Sequence, residues 1–445
     1  MQLINKFHRM ELEEKLFDIG KNEGLPLWDI IRYHVYLKYY YPEDGINRLS
    51  IAGSHTYSDY LKLLKNALGF VYKILFARGE NVVITSSRNI DSNGKYFDKS
   101  AISIIEALAD NCLVVEPVLS KRIAYSFIYD FSCVFSRFHR SKQFPYEYYN
   151  KLNEVLIRHL QKCLISYEEV NNIYHSFQSD YNYFKVLFKA KSTKRLFVST
   201  GNPKGILLAA KEHGITTYLL QHSDIGHDGI EHSYPGGISN NSNILFSDVM
   251  LTYGDYWCKK INVPSKEILP IGNDYFYSKP IIHSDNSILI ISTIIHGEEL
   301  KPLTKQLAVE RPDLKFVFKL HPNEYRFYDD YIVYFKSNMN VSVFKDQLDI
   351  SKLIAKSQLV ILIVSGVLYE ALNQNKKVAV YKRINYKRQL HLADFPNIFF
   401  INNAKEVVDI IDKPITPSVV NFYKPINDEI LKRVCFGDTN QKCPY

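Results

Sequence analysis

Residues 220–237, "LQHSDIGHDGIEHSYPGG", gather three histidines, two aspartates and a glutamate among glycines. Glycine and proline interrupt any helical period here, and few of these residues could build a core. In a buried loop these polar groups would lose their contact with water, which is costly. An ordinary surface loop does not need so many titratable side chains. A loop that transfers protons at the floor of a cleft explains the composition best. Its candidate side chains are the carboxylates of Asp224, Asp228 and Glu231 and the rings of His222, His227 and His232.

Metal binding is the alternative for this loop, because histidine and aspartate at short spacing can bind zinc. No cysteine accompanies them, and their spacing fits no regular element. The acid pair of "YDDY", residues 328–331, could hold Mg²⁺, but such carboxylates are usually solvated surface groups. We therefore expect an enzyme that needs neither a metal nor another cofactor.

Three further polar loops follow short apolar runs that predict strands, and ligands of open α/β sheets bind where such strands end. The loop "STGNPKG", residues 199–205, contains Asn202 and precedes a helix whose first amides could hold an anion. The same residues would also make an ordinary strand-to-helix turn. Asn202 is therefore a candidate for the wall of a cleft.

The loop "KLHPNE", residues 319–324, places His321 at the end of the predicted strand "KFVFKL". Pro322 ends that strand because proline has no amide donor, and Asn323 follows it. A histidine held in this way can hydrogen-bond a phosphate or protonate a leaving oxygen. A single His-Pro pair is a weak signal, since chance supplies many of them.

The run "LVILIVSGVLYEALNQNKKVAVY" predicts a buried strand, a turn at Ser365 and Gly366, and then a helix. The first amides of that helix and the Ser365 hydroxyl could hold a phosphate, which the helix dipole favours. Glu370 lies about one turn into the helix, where a carboxylate can accept the hydrogen bonds of a ribose diol. A carboxylate that only offsets the helix dipole is the alternative for Glu370.

Strand-like and helix-like segments alternate along most of the chain, which predicts parallel sheets in doubly wound α/β domains. Two such series meet near residues 275–285, so we expect two Rossmann-like domains that face each other across a cleft. The predicted divisions are a helical N-terminal segment at 1–80, an N-terminal Rossmann-like domain at 81–280 with a helical insertion at about 120–190, a C-terminal Rossmann-like domain at 281–415, and a closing helix and tail at 416–445.

Composition narrows the function classes. The net charge of +8, from 55 basic and 47 acidic residues among 445, favours anionic partners such as nucleotides, phospholipid headgroups or acidic glycans and does not call for nucleic acid. The six cysteines form no CxxC pair and the N-terminus has no apolar signal region, so we expect a cytoplasmic protein. The basic amphipathic segment "DYLKLLKNALGFVYKILFARG" predicts a packed helix or, alternatively, a peripheral membrane contact.

Taken together, five segments resemble bacterial surface-polysaccharide glycosyltransferases of the GT-B fold. They are "QHSDIGHDGIEHSYP", "SDVMLTYGDYW", "ILPIGN", "KLHPNE" and "VSGVLYEALNQNKKVAVY". The capsule-synthesis, sialyltransferase and Kdo-transferase groups are the most similar. The resemblance covers about residues 195–412, and the N-terminal "GLPLWDIIRYHVY" is similar as well. It implies a nucleotide-sugar donor and an acceptor that is a glycan or a lipid-linked glycan.

The resemblance also implies roles for single residues. In that group an acidic-acidic-Gly motif supplies the general base, while a His-Pro motif and a later Ser-containing turn hold the donor phosphate. Carried over, Asp228 of "HDG" is the candidate base, His321 the phosphate ligand and acid, and Ser365 a further phosphate ligand. His227 stands where the motif usually has an acid. The competitors for the base are therefore Asp224 and Glu231.

These roles predict an inverting transfer in which a carboxylate deprotonates the acceptor hydroxyl while His321 stabilises the departing nucleotide. A CMP-sugar is the preferred donor, on the His-Pro resemblance alone. Three alternatives stay open: a CDP-polyol phosphotransferase of the teichoic-acid type, a UDP-sugar epimerase, and a non-catalytic polysaccharide-assembly protein.

Overall fold

The computed structural model of the chain describes residues 2–21, 24–40, 79–85, 89–90, 96–117, 127–130, 142–161, 164–225, 229–236, 243–259, 261–277, 286–293, 296–345, 350–417 and 422–437. Two compact units divide it. The first comprises Met1–Tyr253, Trp257–Gly272 and Ile426–Tyr445. The second comprises Gly254–Tyr256 and Asn273–Pro425.

The strands of the first unit are short apolar runs that parallel pairing buries. They are β1 (Asn81–Ile84), β2 (Asn89–Ile90), β3 (Tyr96–Phe97), β4 (Cys112–Pro117), β5 (Phe127–Asp130), β6 (Arg195–Val198), β7 (Thr216–Leu220), β8 (Val249–Leu251) and β9 (Glu267–Leu269). Among the described residues, seven of them form one sheet in the order β5-β4-β1-β6-β7-β8-β9, with every neighbouring pair parallel. The strand order reverses between β1 and β6, which makes that point the topological switch of the sheet.

The second unit repeats this plan. Its strands are β10 (Ser287–Ile291), β11 (Lys315–Lys319), β12 (Val341–Phe344), β13 (Ser357–Leu362), β14 (Lys377–Tyr381) and β15 (Ile398–Ile401). They form a parallel sheet in the order β12-β11-β10-β13-β14-β15, which is the strand order of a Rossmann fold. Every residue of β10 and β14 is buried, as expected when helices cover both faces of a sheet. The switch point of this sheet lies between β10 and β13.

Helices cover the sheets, and several start at the carboxyl ends of strands. In chain order they are α1 (Gln2–Glu13), α2 (Leu27–Tyr40), α3 (Ile102–Leu108), α4 (Tyr146–Leu160), α5 (Tyr167–Lys191), α6 (Lys204–Glu212), α7 (Asp255–Cys258), α8 (Asp274–Tyr277), α9 (Gly297–Glu310), α10 (Tyr328–Tyr334), α11 (Ile350–Lys356), α12 (Val367–Asn373), α13 (Ala404–Ile411) and α14 (Asp428–Phe436). Short 3₁₀ turns lie at Ile230–His232, Pro322–Phe327 and Tyr386–Leu392. None of the described helices has the length and apolar character that crossing a membrane requires.

The first unit has an additional helical layer built by its N-terminal residues. Side chains of α1, α2, α4 and α5 form one apolar cluster, which also takes in Ile230 and Tyr234 from the loop after β7. The packing of α6 against α5 is close: a Cβ on Gly205 would lie 2.3 Å from the carbonyl oxygen of Phe177. Glycine is therefore required where α6 begins, because any side chain would push the two helices apart.

The final helix returns to the first unit. Val434 and Cys435 of α14 are buried in a cluster with strand residues such as Val83. At the point of return, the amide of Asn427 donates to the carbonyl of Ile271, with 2.7 Å between nitrogen and oxygen. The chain therefore leaves the first unit and re-enters it at adjacent positions.

The prediction of an α/β fold with two Rossmann-like units is confirmed by the two strand orders, and the cleft between them stays a prediction. Strand β5 lies within the stretch expected to be helical at about 120–190, while α4 and α5 supply helices there. Phe127, Ile128 and Tyr129 are β-branched or aromatic, which is compatible with a strand at the edge of the sheet, where β5 pairs with β4. The basic segment at 59–78 lies outside the described residues.

Candidate functional site

The first candidate site lies beside the switch point of the first sheet. Strand β6 ends at Val198, and the turn that follows contains Gly201, which has a φ of 98°, and Asn202. A Cβ on Gly201 would lie 3.7 Å from Oε1 of Glu231, so that carboxylate lies against the turn. Gly201 thus supplies the positive φ of a tight turn, which a residue with a side chain adopts only under strain.

A cavity of about 420 Å³ opens at this position. Its walls come from α2, from one face of α5, from the start of α6 and from the turn after β7. The volume lies in the range of about 300–1,000 Å³ that is usual for small-molecule sites. Two of the residues predicted from the sequence, Asn202 and Glu231, line it.

Glu231 has the properties of a general base. Its side chain is half-buried, and no hydrogen bond joins its carboxylate to another of the described side chains. Burial raises the pKa of Glu231 above its ordinary value, while the nearby Lys204 ammonium opposes the shift. A carboxylate with a raised pKa in a cavity binds a proton more readily than a solvated one, as proton transfer requires.

Arg32, a charged side chain of the N-terminal layer, holds the turn that carries Glu231. Arg32 donates from Nη1 to the carbonyl of Ile230 and from Nη2 to the carbonyl of Ser233, both at 2.7 Å. Its guanidinium also pairs with Glu11, with 2.5 Å between Nε and Oε1. Both members of this pair are buried. Because Arg32 binds the carbonyls on either side of Glu231, it restricts where the carboxylate can point.

Lys204 is fixed in the same region. Its ammonium donates to Asp29 Oδ2 at 2.7 Å, to the carbonyl of Leu245 at 2.8 Å and to the hydroxyl of Tyr234 at 3.0 Å. These bonds use all three donors of a lysine. Burial lowers the pKa of Lys204, and Asp29 opposes that shift. The role of Lys204 is therefore to hold α2, α6 and the loop after β7 together.

Of the other predicted residues of this loop, three lie within the described part of the chain and two lie outside it. His232 is buried, and burial together with His222 lowers its pKa to about 3, so its ring is neutral near pH 7. The centroids of the His222 and His232 rings are 6.4 Å apart. Asp224 is half-buried beyond β7 and does not line the cavity. Outside the described residues lie His227 and Asp228.

The second candidate site lies at the carboxyl ends of β10 and β11. There the carboxylate of Glu324 joins the loop after β10 to the loop after β11. Glu324 is buried and accepts at Oε1 from the hydroxyls of Ser292 and Tyr331, each at 2.8 Å. Its Oε2 accepts from the amide of His321 at 3.0 Å. A Cβ on Gly297 would lie 2.3 Å from Glu324 Oε1, so only glycine fits at the start of α9.

His321 follows β11, as predicted, and is exposed. Its Nδ1 accepts from the amide of Asn323 at 3.2 Å, which places the proton of the neutral ring on Nε2 and leaves Nε2 able to donate. Burial of part of the ring lowers the pKa of His321, and the Lys319 ammonium adds to the effect. Pro322 occupies the first position of the 3₁₀ turn.

The turn after β13 also lies at the switch point. Ser365 and Gly366 are half-buried, and the Ser365 hydroxyl oxygen accepts from the amide of Val367 at 3.3 Å. Its hydrogen therefore remains available to a ligand. Glu370 is buried in α12.

Sequence reasoning missed a group of polar side chains around the start of α9. The buried atoms that have no hydrogen-bond partner among the described residues include Thr293 Oγ1, His296 Nδ1 and Glu299 Oε2 at the start of α9, and Gln389 Oε1 in the 3₁₀ turn after β14. Unpartnered buried polar atoms are rare in folded proteins, and a bound ligand is one way to satisfy them. In the segment "STIIHGEEL" a histidine before Gly-Glu follows a strand, and this is the signal that the sequence offered.

Two arginines bring positive charge to the same group. Burial lowers the pKa of His296 to about 4, and Arg388 adds to that shift, so Arg388 lies close to the ring. Burial raises the pKa of Glu299, and Arg383 opposes that shift. Both arginines follow β14, in the loop and 3₁₀ turn at its carboxyl end. A neutral histidine with an arginine nearby suits an anionic ligand.

No protein-family model and no curated protein matches the chain. A UDP-GlcNAc 2-epimerase from Methanocaldococcus jannaschii, solved in complex with UDP-GlcNAc and UDP, is 14% identical over 80% of this chain and 98% of its own, with a TM-score of 0.44. The UDP-GlcNAc 2-epimerase of Neisseria meningitidis, bound to UDP-GlcNAc, is 13% identical over 80% of this chain and 94% of its own, with a TM-score of 0.43. The wall teichoic acid polymerase TagF is 11% identical over 86% of this chain and 91% of its own, with a TM-score of 0.43.

The functional proposal rests on the side chains at the carboxyl ends of strands in the two sheets. The first site offers a carboxylate with a raised pKa in a cavity. The second offers hydrogen-bonding groups and arginines at the switch point of a Rossmann-ordered sheet. Within the described residues, no group of three or more metal-binding side chains occurs.

Proposed function

We propose that this protein is an inverting glycosyltransferase that moves a sugar from a nucleotide-sugar donor to a growing bacterial surface glycan, in capsule or lipopolysaccharide synthesis. The supporting observation is the switch point of the second unit, where buried polar atoms without described partners lie near arginines. A nucleotide supplies both the hydrogen-bonding groups that these atoms lack and the negative charge that arginine attracts.

On the donor side, each group has a distinct role in the proposal. His321 Nε2 and the Ser365 hydroxyl donate to phosphate oxygens, and the Arg388 guanidinium offsets their charge. His296, which is neutral near pH 7, accepts or donates one further hydrogen bond. The buried Glu370 stays the candidate for the ribose hydroxyls. Developing charge on the departing nucleotide is thereby stabilised without a metal being required.

On the acceptor side, Glu231 is our preferred base, because among the described carboxylates of residues 220–237 it is the one that lines the cavity. It takes the proton of the acceptor hydroxyl as that oxygen attacks the anomeric carbon from the face opposite the nucleotide, and the configuration inverts. Asp228, preferred from the sequence resemblance, and Asp224 are the rivals. We propose that the reaction takes place in the cytoplasm, with a peripheral contact to the membrane that carries a lipid-linked acceptor.

The first test measures nucleotide binding by thermal shift with CMP, CDP, UDP and GDP, since a ligand stabilises the state it binds. We expect at least one nucleotide to raise the melting temperature of the full chain. Arg388→Ala should weaken that ligand about tenfold or more, as loss of a charge-assisted contact does. Lys387→Ala is the matched control, because Lys387 is exposed on the same 3₁₀ turn and its loss removes the same charge.

A lack of stabilisation by all four nucleotides, or equal effects of the two substitutions, would contradict the donor site. The second test incubates sugar nucleotides with and without a glycan acceptor. Release of nucleotide that depends on acceptor supports the transferase. Conversion of UDP-GlcNAc without acceptor would indicate an epimerase, and CMP release from CDP-glycerol would indicate a polyol phosphotransferase; these are the activities that the names of the similar structures suggest.

A further inference from the structure

We propose that the cavity of the first unit binds a neutral saccharide and presents one of its hydroxyls to Glu231. This inference rests on the proposed function and adds the chemical class of the acceptor. The relevant walls are Tyr33 of α2, one face of α5, and Asn202 and Glu231 at the carboxyl ends of β6 and β7.

The charges of the cavity disfavour an anionic sugar. Its two strong cations are already committed: Arg32 pairs with Glu11, and Lys204 uses its three donors on described partners. Burial lowers the pKa of His34, and Lys38 adds to the effect, so this ring brings no positive charge near pH 7. An acidic sugar would therefore meet the Glu231 carboxylate without a described cation left to pair with it.

The hydrogen-bonding groups fit a polyhydroxylated ligand. Asn202 donates from Nδ2 to the carbonyl of Leu245 at 3.3 Å, which fixes its amide so that Oδ1 is the remaining end. That Oδ1 is buried and has no hydrogen-bond partner among the described residues. Asn172 and Ser176, one turn apart on α5, are exposed and line the same cavity. A sugar hydroxyl can donate to Asn202 while a neighbouring hydroxyl donates to Glu231.

The remaining wall is apolar, as the C–H face of a pyranose ring requires. Phe177 and Ile30 are buried at the cavity, and Ile173 is half-buried beside them. Small-molecule sites commonly combine such an apolar surface with a few placed polar groups. The volume of about 420 Å³ accommodates a ligand of monosaccharide or disaccharide size.

The test measures saturation-transfer NMR on the full chain with no donor present. The probes are methyl β-D-glucopyranoside, methyl β-D-galactopyranoside and the methyl glycoside of N-acetylglucosamine, compared with methyl β-D-glucuronide. We expect saturation transfer to at least one neutral glycoside and binding of the glucuronide that is weaker by about tenfold or more. Glu231→Gln should reduce this discrimination, because it removes the charge and keeps the shape.

A pair of tryptophan substitutions locates the binding. Ser176→Trp should abolish the signal by filling the cavity, whereas Val186→Trp, at another exposed position of α5, should leave it unchanged. No signal from any neutral glycoside, equal binding of the glucuronide, or equal behaviour of the two tryptophan variants would overturn the inference. Glycoside binding without transfer from any sugar nucleotide would instead overturn the transferase proposal and leave the saccharide site standing.

Discussion

At the scale of a single residue, Glu231 illustrates how burial changes the proton affinity of a carboxylate. Burial raises its pKa, and the Arg32 bonds to Ile230 and Ser233 hold it in place. An unfolded chain gives Glu231 its usual pKa, so the folded chain retains the proton to a higher pH. The free energy of unfolding therefore falls as the pH rises through the folded pKa of Glu231, because the buried carboxylate then ionises.

We expect Glu231→Gln to lower turnover by about 10²–10⁴-fold, the usual contribution of a general base. The same change should raise the melting temperature at pH 7, because glutamine does not carry the charge whose burial is costly. Steady-state rates and thermal denaturation measure the two effects. Glu154→Gln on the exposed face of α4 is the control. Unchanged turnover would return the role to Asp228 or Asp224.

The rate of the native enzyme should depend on pH with the matching sign. A base works when it is deprotonated, so kcat/KM should fall as pH drops through a pKa above the ordinary glutamate value of 4.5. Glu231→Gln should remove this acidic limb from whatever activity remains. An acidic limb that persists in the variant would assign the titration to another group.

Arg32→Met should be strongly destabilising. Removal of one partner leaves the Glu11 carboxylate buried and unpaired, which typically costs about 3–5 kcal/mol. Urea unfolding measures the change. The control is Arg158→Met, because Arg158 pairs with Glu14 at the surface, where such pairs contribute about 0–1 kcal/mol. Similar losses for the two variants would contradict the structural role of Arg32.

At the scale of elements, the loops after β10 and β11 are joined through Glu324. We expect Gly297→Ala to destabilise the protein by about 1–3 kcal/mol, the usual cost of overpacking. Its Cβ would lie 2.1 Å from the Tyr331 hydroxyl and 2.3 Å from Glu324 Oε1. Nucleotide binding should weaken as well, since His321 is held by the same carboxylate. Thermal denaturation and nucleotide titration test this.

Gly236→Ala is the control for that substitution, because no atom of the described residues beyond its chain neighbours lies within 4 Å of the added carbon. If the Gly297→Ala protein is as stable as the Gly236→Ala protein, the loops after β10 and β11 can move apart to accept the added methyl group. In that case Glu324 would not be the group that sets their positions.

The elements themselves were largely predictable from the sequence, because apolar runs such as "SILII" and "KFVFK" have the length and composition of buried parallel strands. His321, Ser365 and Asn202 were found because each follows such a run. Arg32 and Lys204 were not, since their partners are distant in the chain: Arg32 and Ile230 are separated by 198 positions. Periodicity carries no information about contacts of that range.

Strand β5 and His296 show two other limits. The aromatic residues of β5 fit an edge strand as well as a helix, so tertiary pairing with β4 decided between them. His296 stands before Gly-Glu at the start of a helix, which is a weak signal, and its buried ring nitrogen without a described partner is what marks it as a candidate. The family resemblance favours Asp228 as the base, whereas the lining of the cavity favours Glu231 among the described carboxylates of residues 220–237.

At the scale of the whole molecule, both sheets place candidate groups at their switch points. In the first, the turn after β6 carries Asn202, and in the second, the loops after β10 and β13 carry His296 and Ser365. This placement follows from parallel topology, because neighbouring loops diverge only where the strand order reverses. Chemistry in either unit should therefore depend on loop residues more than on the strands beneath them.

The hydrogen bond between Asn427 and Ile271 has a practical consequence. Residues 273–425 are inserted into the sequence of the first unit, and the backbone on either side of the insertion is joined by this hydrogen bond. Joining residue 272 to residue 426 through a short Gly–Ser bridge should yield a stand-alone protein, since closing so small a gap costs little chain entropy. Such a protein should melt cooperatively and still bind neutral glycosides while losing all response to nucleotides, whereas one truncated after residue 272 should be unstable without α14.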